Sequence, residues 1–172
     1  MMKSILISLL ILIPTNTFAV SYAWWVTISF TPTDTQIYGQ SVHDIDPTLK
    51  KVTTIDWAII QKETIETYNY NEKNSNGCFF KIKGDFNTDA IEDIAEVGVY
   101  EDDQGKLGRL LIIRSSDRKL PYIFKIPGKP GFSILKADFK LLVWFFCMEC
   151  DNYVEIKWDG MNYKMIIPEP IG

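Results

Sequence analysis

From Val20 to Phe30 apolar and polar positions alternate. Val20, Tyr22, Trp24, Val26, Ile28 and Phe30 stand against Ser21, Ala23, Trp25, Thr27 and Ser29. A period of two in β-branched and aromatic residues predicts a strand, closed by Thr31-Pro32-Thr33-Asp34. Ile37-Tyr38-Gly39 predicts a second, short extended piece. The period then changes. Asp46-Pro47 reads as an N-cap with proline at the first helical position, and Leu49, Val52 and Ile55 recur every three residues as one helical stripe. A second helix is expected from Asp56 to Tyr68, with Trp57, Ile60, Thr64 and Tyr68 on one side and Gln61, Lys62, Glu63 and Glu66 toward water. Asn69 to Gly77 is a polar, turn-rich loop.

After Gly77 the pattern is of strands alone: Cys78–Lys83, Ile94–Glu101, Leu107–Arg114, Leu120–Lys125, Phe132–Lys136, Leu141–Cys147, Tyr153–Trp158 and Met161–Ile167. Leu110–Ile113 and Leu141–Phe146 are continuously apolar, as central strands covered on both faces would be. Asp159-Gly160 between two alternating runs is a strong hairpin signal. Sequential strands joined by short turns predict an α+β fold: an antiparallel β-meander sheet with the two N-terminal helices packed on one side. No break in composition divides residues 20–172, so they are expected to form one domain.

The first nineteen residues read differently. Lys3 gives a positive start, Ile5–Ile13 is apolar but for Ser8, Pro14 interrupts, and Thr17 and Ala19 are small residues before a cut: the signature of a secretory signal peptide, residues 1–19. The apolar run is about half the ~20 residues that span a bilayer, and no later run is long enough, so no membrane span is expected in the mature chain. Cleavage after Ala19 takes Lys3 with it, and the net charge moves from −4 to −5. The expected location is periplasmic or secreted. With Lys+Arg 18 against Asp+Glu 22, the chain lacks the cationic excess that a nucleic-acid backbone requires.

Chemical specificity concentrates between Gly84 and Ala95. Oxygen side chains alternate at Asp85, Asn87 and Asp89, and Asp93 follows. Ca²⁺ takes six to eight oxygens at about 2.3–2.6 Å, and alternation in a tight loop turns successive carboxylates inward. Glu96 falls where an EF-hand has its bidentate acid, but the flanks Phe79–Ile82 and Val97–Tyr100 read as strands, not helices. Two other arrangements suit the same residues. One is a turn whose side chains cap backbone N–H groups; the other is a short helix from Asp89 to Val97, capped by Thr88 and ended by Gly98.

Gly84–Ala95 resembles the calcium loop of FG-GAP (VCBS-type) repeats, the blade units of integrin-like β-propellers. The resemblance covers about a dozen residues, and a propeller needs about four to eight blades, so it implies a single unit. A more diffuse similarity, reaching to Trp158-Asp159-Gly160, is to exported bacterial proteins carrying one such unit, and it implies no activity. Position by position, the resemblance implies Asp85, Asn87, Asp89 and Asp93 as Ca²⁺ ligands and Ile91 as the backbone-carbonyl ligand. The family's glycine is Ala90 here. Should that position require positive φ, alanine costs roughly 1–2 kcal/mol and affinity falls.

Cys147-Met148-Glu149-Cys150 is a Cys-x-x-Cys pair at a strand end. An exported protein favours its disulfide as a structural clip, whereas a redox site would set the first cysteine at a helix N-terminus. Zinc would need Cys78 and His43 to complete four ligands. Cys78 is expected as a buried thiol, with pairing to Cys147 or Cys150 as its alternative. His43, the only histidine, lies beside Asp44 and Asp46 and suits the surface; Trp24, Trp25 and Trp144 suit either core packing or a sugar-stacking face. One histidine leaves no constellation for nucleophilic catalysis. The expectation is an exported binding module, not an enzyme, with a calcium-stabilised loop and a protein or glycan partner. A periplasmic inhibitor or immunity protein against a cell-envelope hydrolase, and a metal-dependent hydrolase using Asp85, Asp89 or Asp93, are the alternatives.

Overall fold

Strands dominate because β-branched and aromatic residues recur in short runs separated by turn formers. The computed structural model describes residues 24–63, 79–116, 118–138, 141–147 and 152–168. The elements are, in chain order, α1 (Trp24–Thr27), β1 (Gln36–Ile37), β2 (Gln40–Ser41), α2 (Val42–Ile45), β3 (Leu49–Thr54), α3 (Trp57–Glu63) and β4 (Lys81–Gly84). Then follow β5 (Asp93–Asp102), β6 (Leu107–Arg114), β7 (Tyr122–Pro127), β8 (Ile134–Asp138), β9 (Leu141–Phe145), β10 (Tyr153–Trp158) and β11 (Tyr163–Ile166).

They form three antiparallel sheets. In the first, β5 pairs β6 and β6 pairs β7. The other edge of β5 is shared end to end: β4 takes Asp93–Glu96 and β3 takes Gly98–Asp102. The second sheet runs β11-β10-β9-β8, and β1-β2 is a small hairpin whose turn residues Tyr38 and Gly39 both have positive φ, 53° and 74°. The two larger sheets face each other. Ala95, Val97, Val99, Leu111 and Ile113 meet Leu135, Leu142, Trp144, Val154 and Ile156 between them. Phe79 bridges Leu135 at the edge of the second sheet with a reciprocal pair of bonds, 2.8 and 2.7 Å, just before the chain enters β4 of the first. That step ties the two sheets together along one side.

The outer face of the first sheet is also covered. Tyr100, Leu110 and Ile112 form a second cluster with Leu49, Val52 and Val42, against which Ile37 packs. Leu110–Ile113 is therefore fully buried, alternate residues facing different cores.

The α+β expectation, with two helices packed on one side of a single meander, is overturned: among the described residues strands predominate, in three sheets, and the helices are only short. The stretch with Leu49, Val52 and Ile55 is strand β3, not a helix. A register shift between Leu49 and Lys51 sets Leu49 and Val52 three apart in the outer cluster, whereas Ile55, just past the strand's end, packs in the core between the sheets. The extra residue of a β-bulge turns a strand's period of two into three across the irregularity. Val52-Thr53-Thr54-Ile55 is also an unbroken β-branched run, poor for a helix. Asp46 is no N-cap: it closes α2 as its C-cap, its N–H donating to the Val42 carbonyl at 2.9 Å. Its carboxylate accepts from the amide (2.9 Å) and hydroxyl (2.7 Å) of Thr48 and from Lys125 Nζ (2.6 Å), holding an Asx turn into β3. The second expected helix is described only as α3, where Asp56 accepts from Ile59 N–H at 2.9 Å; residues 64–78 lie outside the described residues. The expected strand Val20–Phe30 holds the single helical turn α1, after which Ile28 and Phe30 are buried and Ser29 bridges Gly131. The signal-peptide expectation, residues 1–19, lies outside the described residues. Among the described residues no helix is long and apolar enough to cross a membrane.

Because β6 is covered on both faces, Leu110→Ala and Leu111→Ala should each cost about 2–5 kcal/mol in urea denaturation. A one-sided sheet would give a large cost for one of them only.

Candidate functional site

The 85–92 segment is the loop of the β4–β5 hairpin, whose ends are pinned by the Gly84–Asp93 pair. Phe86 drives it into the core, where the ring is buried among the residues between the sheets. Gly84 makes room: a Cβ there would stand 2.8 Å from Phe86 Cε1. Asn87 and Asp93 are buried, whereas Asp85, Thr88, Asp89, Ala90, Ile91 and Glu92 are exposed.

The loop's oxygens are turned onto its own amides. Asp89 N–H donates to both Asp85 Oδ1 and Asn87 Oδ1, each at 3.1 Å. Ala90 N–H donates to Asp85 Oδ2 at 3.0 Å and Ile91 N–H to Asp89 Oδ1 at 2.7 Å. Asn87 Nδ2 donates to Asp89 Oδ2 at 2.8 Å. Asp85, Asn87 and Asp89 are thus brought together, and Ile91 enters through its amide. Thr88 and Ala90 take positive φ, 65° and 68°. The glycine position of the resemblance therefore does require left-handed backbone, and Ala90 carries that strain. No helix runs from Asp89 to Val97.

Asp93 belongs to another environment. Its side chain points between the sheets, where Oδ2 accepts from Phe86 N–H at 3.0 Å and from Tyr163 Oη at 2.7 Å. Oδ1 is buried with no hydrogen-bond partner. Burial and the adjoining carboxylate push the Tyr163 phenol far above its usual range, so it stays a donor. Asp93 is tied to the loop through Phe86, and among the described residues no group of three or more His, Cys, Asp or Glu side chains is spaced to hold a metal.

No family model, curated protein or solved structure matches the chain.

Glu96, three residues past Asp93, points to the opposite face and takes no part in the loop. It lies 3.2 Å from Lys81 Nζ and 4.0 Å from Arg114 Nε. Burial pushes its carboxyl up, and Arg114 opposes the shift. It floors a cavity of about 250 Å³ with Thr54, Asp56, Trp57, Phe80 and Lys81. In the sequence only the alternation of β5 signals its orientation. His43 is exposed on α2, and Trp144 is in the core. Cys147 is buried and disulfide-bonded; Cys78 and Cys150 lie outside the described residues, so the Cys147–Cys150 clip remains a proposal.

Ala90→Gly should raise stability by about 0.5–1 kcal/mol, the relief of left-handed strain less glycine's greater chain entropy, measured as a shift in urea midpoint. A glutamate whose folded pKa is raised binds its proton more tightly when folded. Its contribution to stability is therefore lost as pH rises from the ordinary glutamate range through the raised value. Glu96→Gln should flatten that part of the stability–pH curve, read by thermal denaturation across acidic to neutral pH.

Proposed function

We propose that the protein is an exported, non-catalytic binding module whose 85–93 loop is stiffened by Ca²⁺ and offered to a protein or glycan partner. The observation that carries this reading is the gathering of Asp85 and Asn87 oxygens on the single amide of Asp89, with Thr88 and Ala90 held at positive φ around it. Strained backbone persists where the surroundings over-determine it, and such places cluster at ligand clamps. Each of these oxygens keeps a further lone pair for a cation. Asp89 Oδ2 would exchange its bond from Asn87 Nδ2 for the metal. The cation's place is to fix the loop; the exposed Asp85, Asp89, Ile91 and Glu92 would form the rim a partner meets.

Calorimetry of the purified chain titrated with Ca²⁺ tests the reading. At about ten times Kd a folded-state ligand adds about 1.4 kcal/mol, a rise in melting temperature of roughly 3–6 °C for a chain of this size. Asp89→Ala should abolish both heat and shift. Absence of both in the parent protein at about 10 mM Ca²⁺, above the range of weak extracellular sites, removes the metal from the reading.

A further inference from the structure

A second cavity, of about 270 Å³, opens on the outer face of the first sheet, where β6 ends. Arg114, Arg118 and Lys119 line it with Gln40, Ser115 and Ser116. Three cations in one hollow run against the chain's net charge of −4. The carboxylates nearby are answered wholly or in part by other cations. Glu92, at the rim, is paired with Lys83 at 2.8 Å. Glu96, behind Arg114, lies closer to Lys81 (3.2 Å) than to the Arg114 Nε (4.0 Å).

Both arginines are braced. The Arg114 guanidinium lies over the Tyr38 ring, 3.8 Å from its centroid, and Arg118 lies over Tyr122 at 4.1 Å. The Arg118 amide donates to the Ser115 carbonyl at 3.2 Å, a turn that brings the second arginine round to the first. A guanidinium stacked on a ring has lost its freedom before any ligand arrives, and its N–H edges stay available for a planar oxyanion contact. One polar atom at the cavity, Ser115 Oγ, is buried with no hydrogen-bond partner, while Arg114 Nε is turned toward the buried Glu96 Oε1 at 4.0 Å. Unsatisfied buried donors are uncommon in folded proteins and point to a missing partner.

We propose that this cavity binds a small anionic ligand, its phosphate, sulfate or carboxylate group held by Arg114 and Arg118 with the serine hydroxyls beside them. The volume lies just under the usual range for organic ligands, which suits a headgroup with a short body. Charge-assisted bonds to a guanidinium fork supply the selectivity. The site stands whether or not the 85–93 loop holds a cation.

The test is titration of the full chain, freed of metal on a chelating resin and in low-salt buffer, against inorganic phosphate, sulfate and acetate in separate arms. Arginine Nε–H NMR signals and calorimetry are the readouts. Saturable binding is expected, with Arg114 and Arg118 signals moving together, and the tightest arm names the headgroup. Arg118→Gln should weaken that arm about tenfold or more. Arg114→Lys, which keeps the charge and loses the fork, should weaken it as well; if that variant fails to fold, Arg118→Gln at the exposed end of the cavity decides the matter. No saturation in any arm, or binding indifferent to Arg118→Gln, overturns the site. Because metal is removed beforehand, neither result depends on the fate of Ca²⁺ at the loop.

Discussion

The rest of the molecule is arranged about one buried carboxylate. Asp93 begins β5, points between the two large sheets, and accepts from a loop amide and from a phenol of the facing sheet. A carboxylate in such a place is costly unless hydrogen-bonded, and the described residues give it no cation. Its two donors therefore fix geometry: Phe86 must turn its amide back toward β5, and Tyr163 must reach across from β11. The first requirement bends the 85–92 loop; the second sets the approach of the sheets where aromatic rings crowd. Tyr122 and Trp158 meet the Tyr163 ring edge-on, with centroids 4.8 and 4.9 Å away, so the donor is held as firmly as the acceptor.

The strands after Gly77 were legible and the elements before it were not, for a physical reason in each case. Leu107–Arg114 and Tyr153–Trp158 are bounded by turn residues on both sides and fill their strands from end to end. Leu110–Ile113 announced its two covered faces because an unbroken apolar run has no side left for water. The stripe of Leu49, Val52 and Ile55 misled because a bulge sets the first two three apart on one face, while Ile55 at the same spacing turns to the other core; only the β-branched run beside them argues against a helix. The division into two facing sheets was hidden, since β8 leaves β7 to pair with β9, and the tie between the sheets, Phe79 with Leu135, joins residues far apart along the chain that no local pattern encodes.

The candidate loop was legible in composition and only half legible in geometry. Alternating Asp85, Asn87 and Asp89 do gather, and the residue in the glycine position does adopt positive φ. The fourth oxygen donor, Asp93, divides its allegiance, because strand alternation sends it toward the core while the loop curls outward. The arginine cavity left no motif at all. Its members come from β2, the end of β6 and the turn after it, and only the fold sets two tyrosines beneath two guanidinium groups.

β3 and β4 occupy successive stretches of one edge of β5, with Thr54 opposite Gly98 and Lys81 opposite Glu96. The chain therefore departs from that edge and rejoins it two pairing positions further along. Closing an excursion whose ends are already neighbours grows costly only slowly with length. Related chains can thus differ in length between residues 63 and 79 while the ladder stays in register, so long as Ile55, Ile60, Phe79 and Phe80 keep their places. That seam is a natural port for evolutionary or engineered grafts.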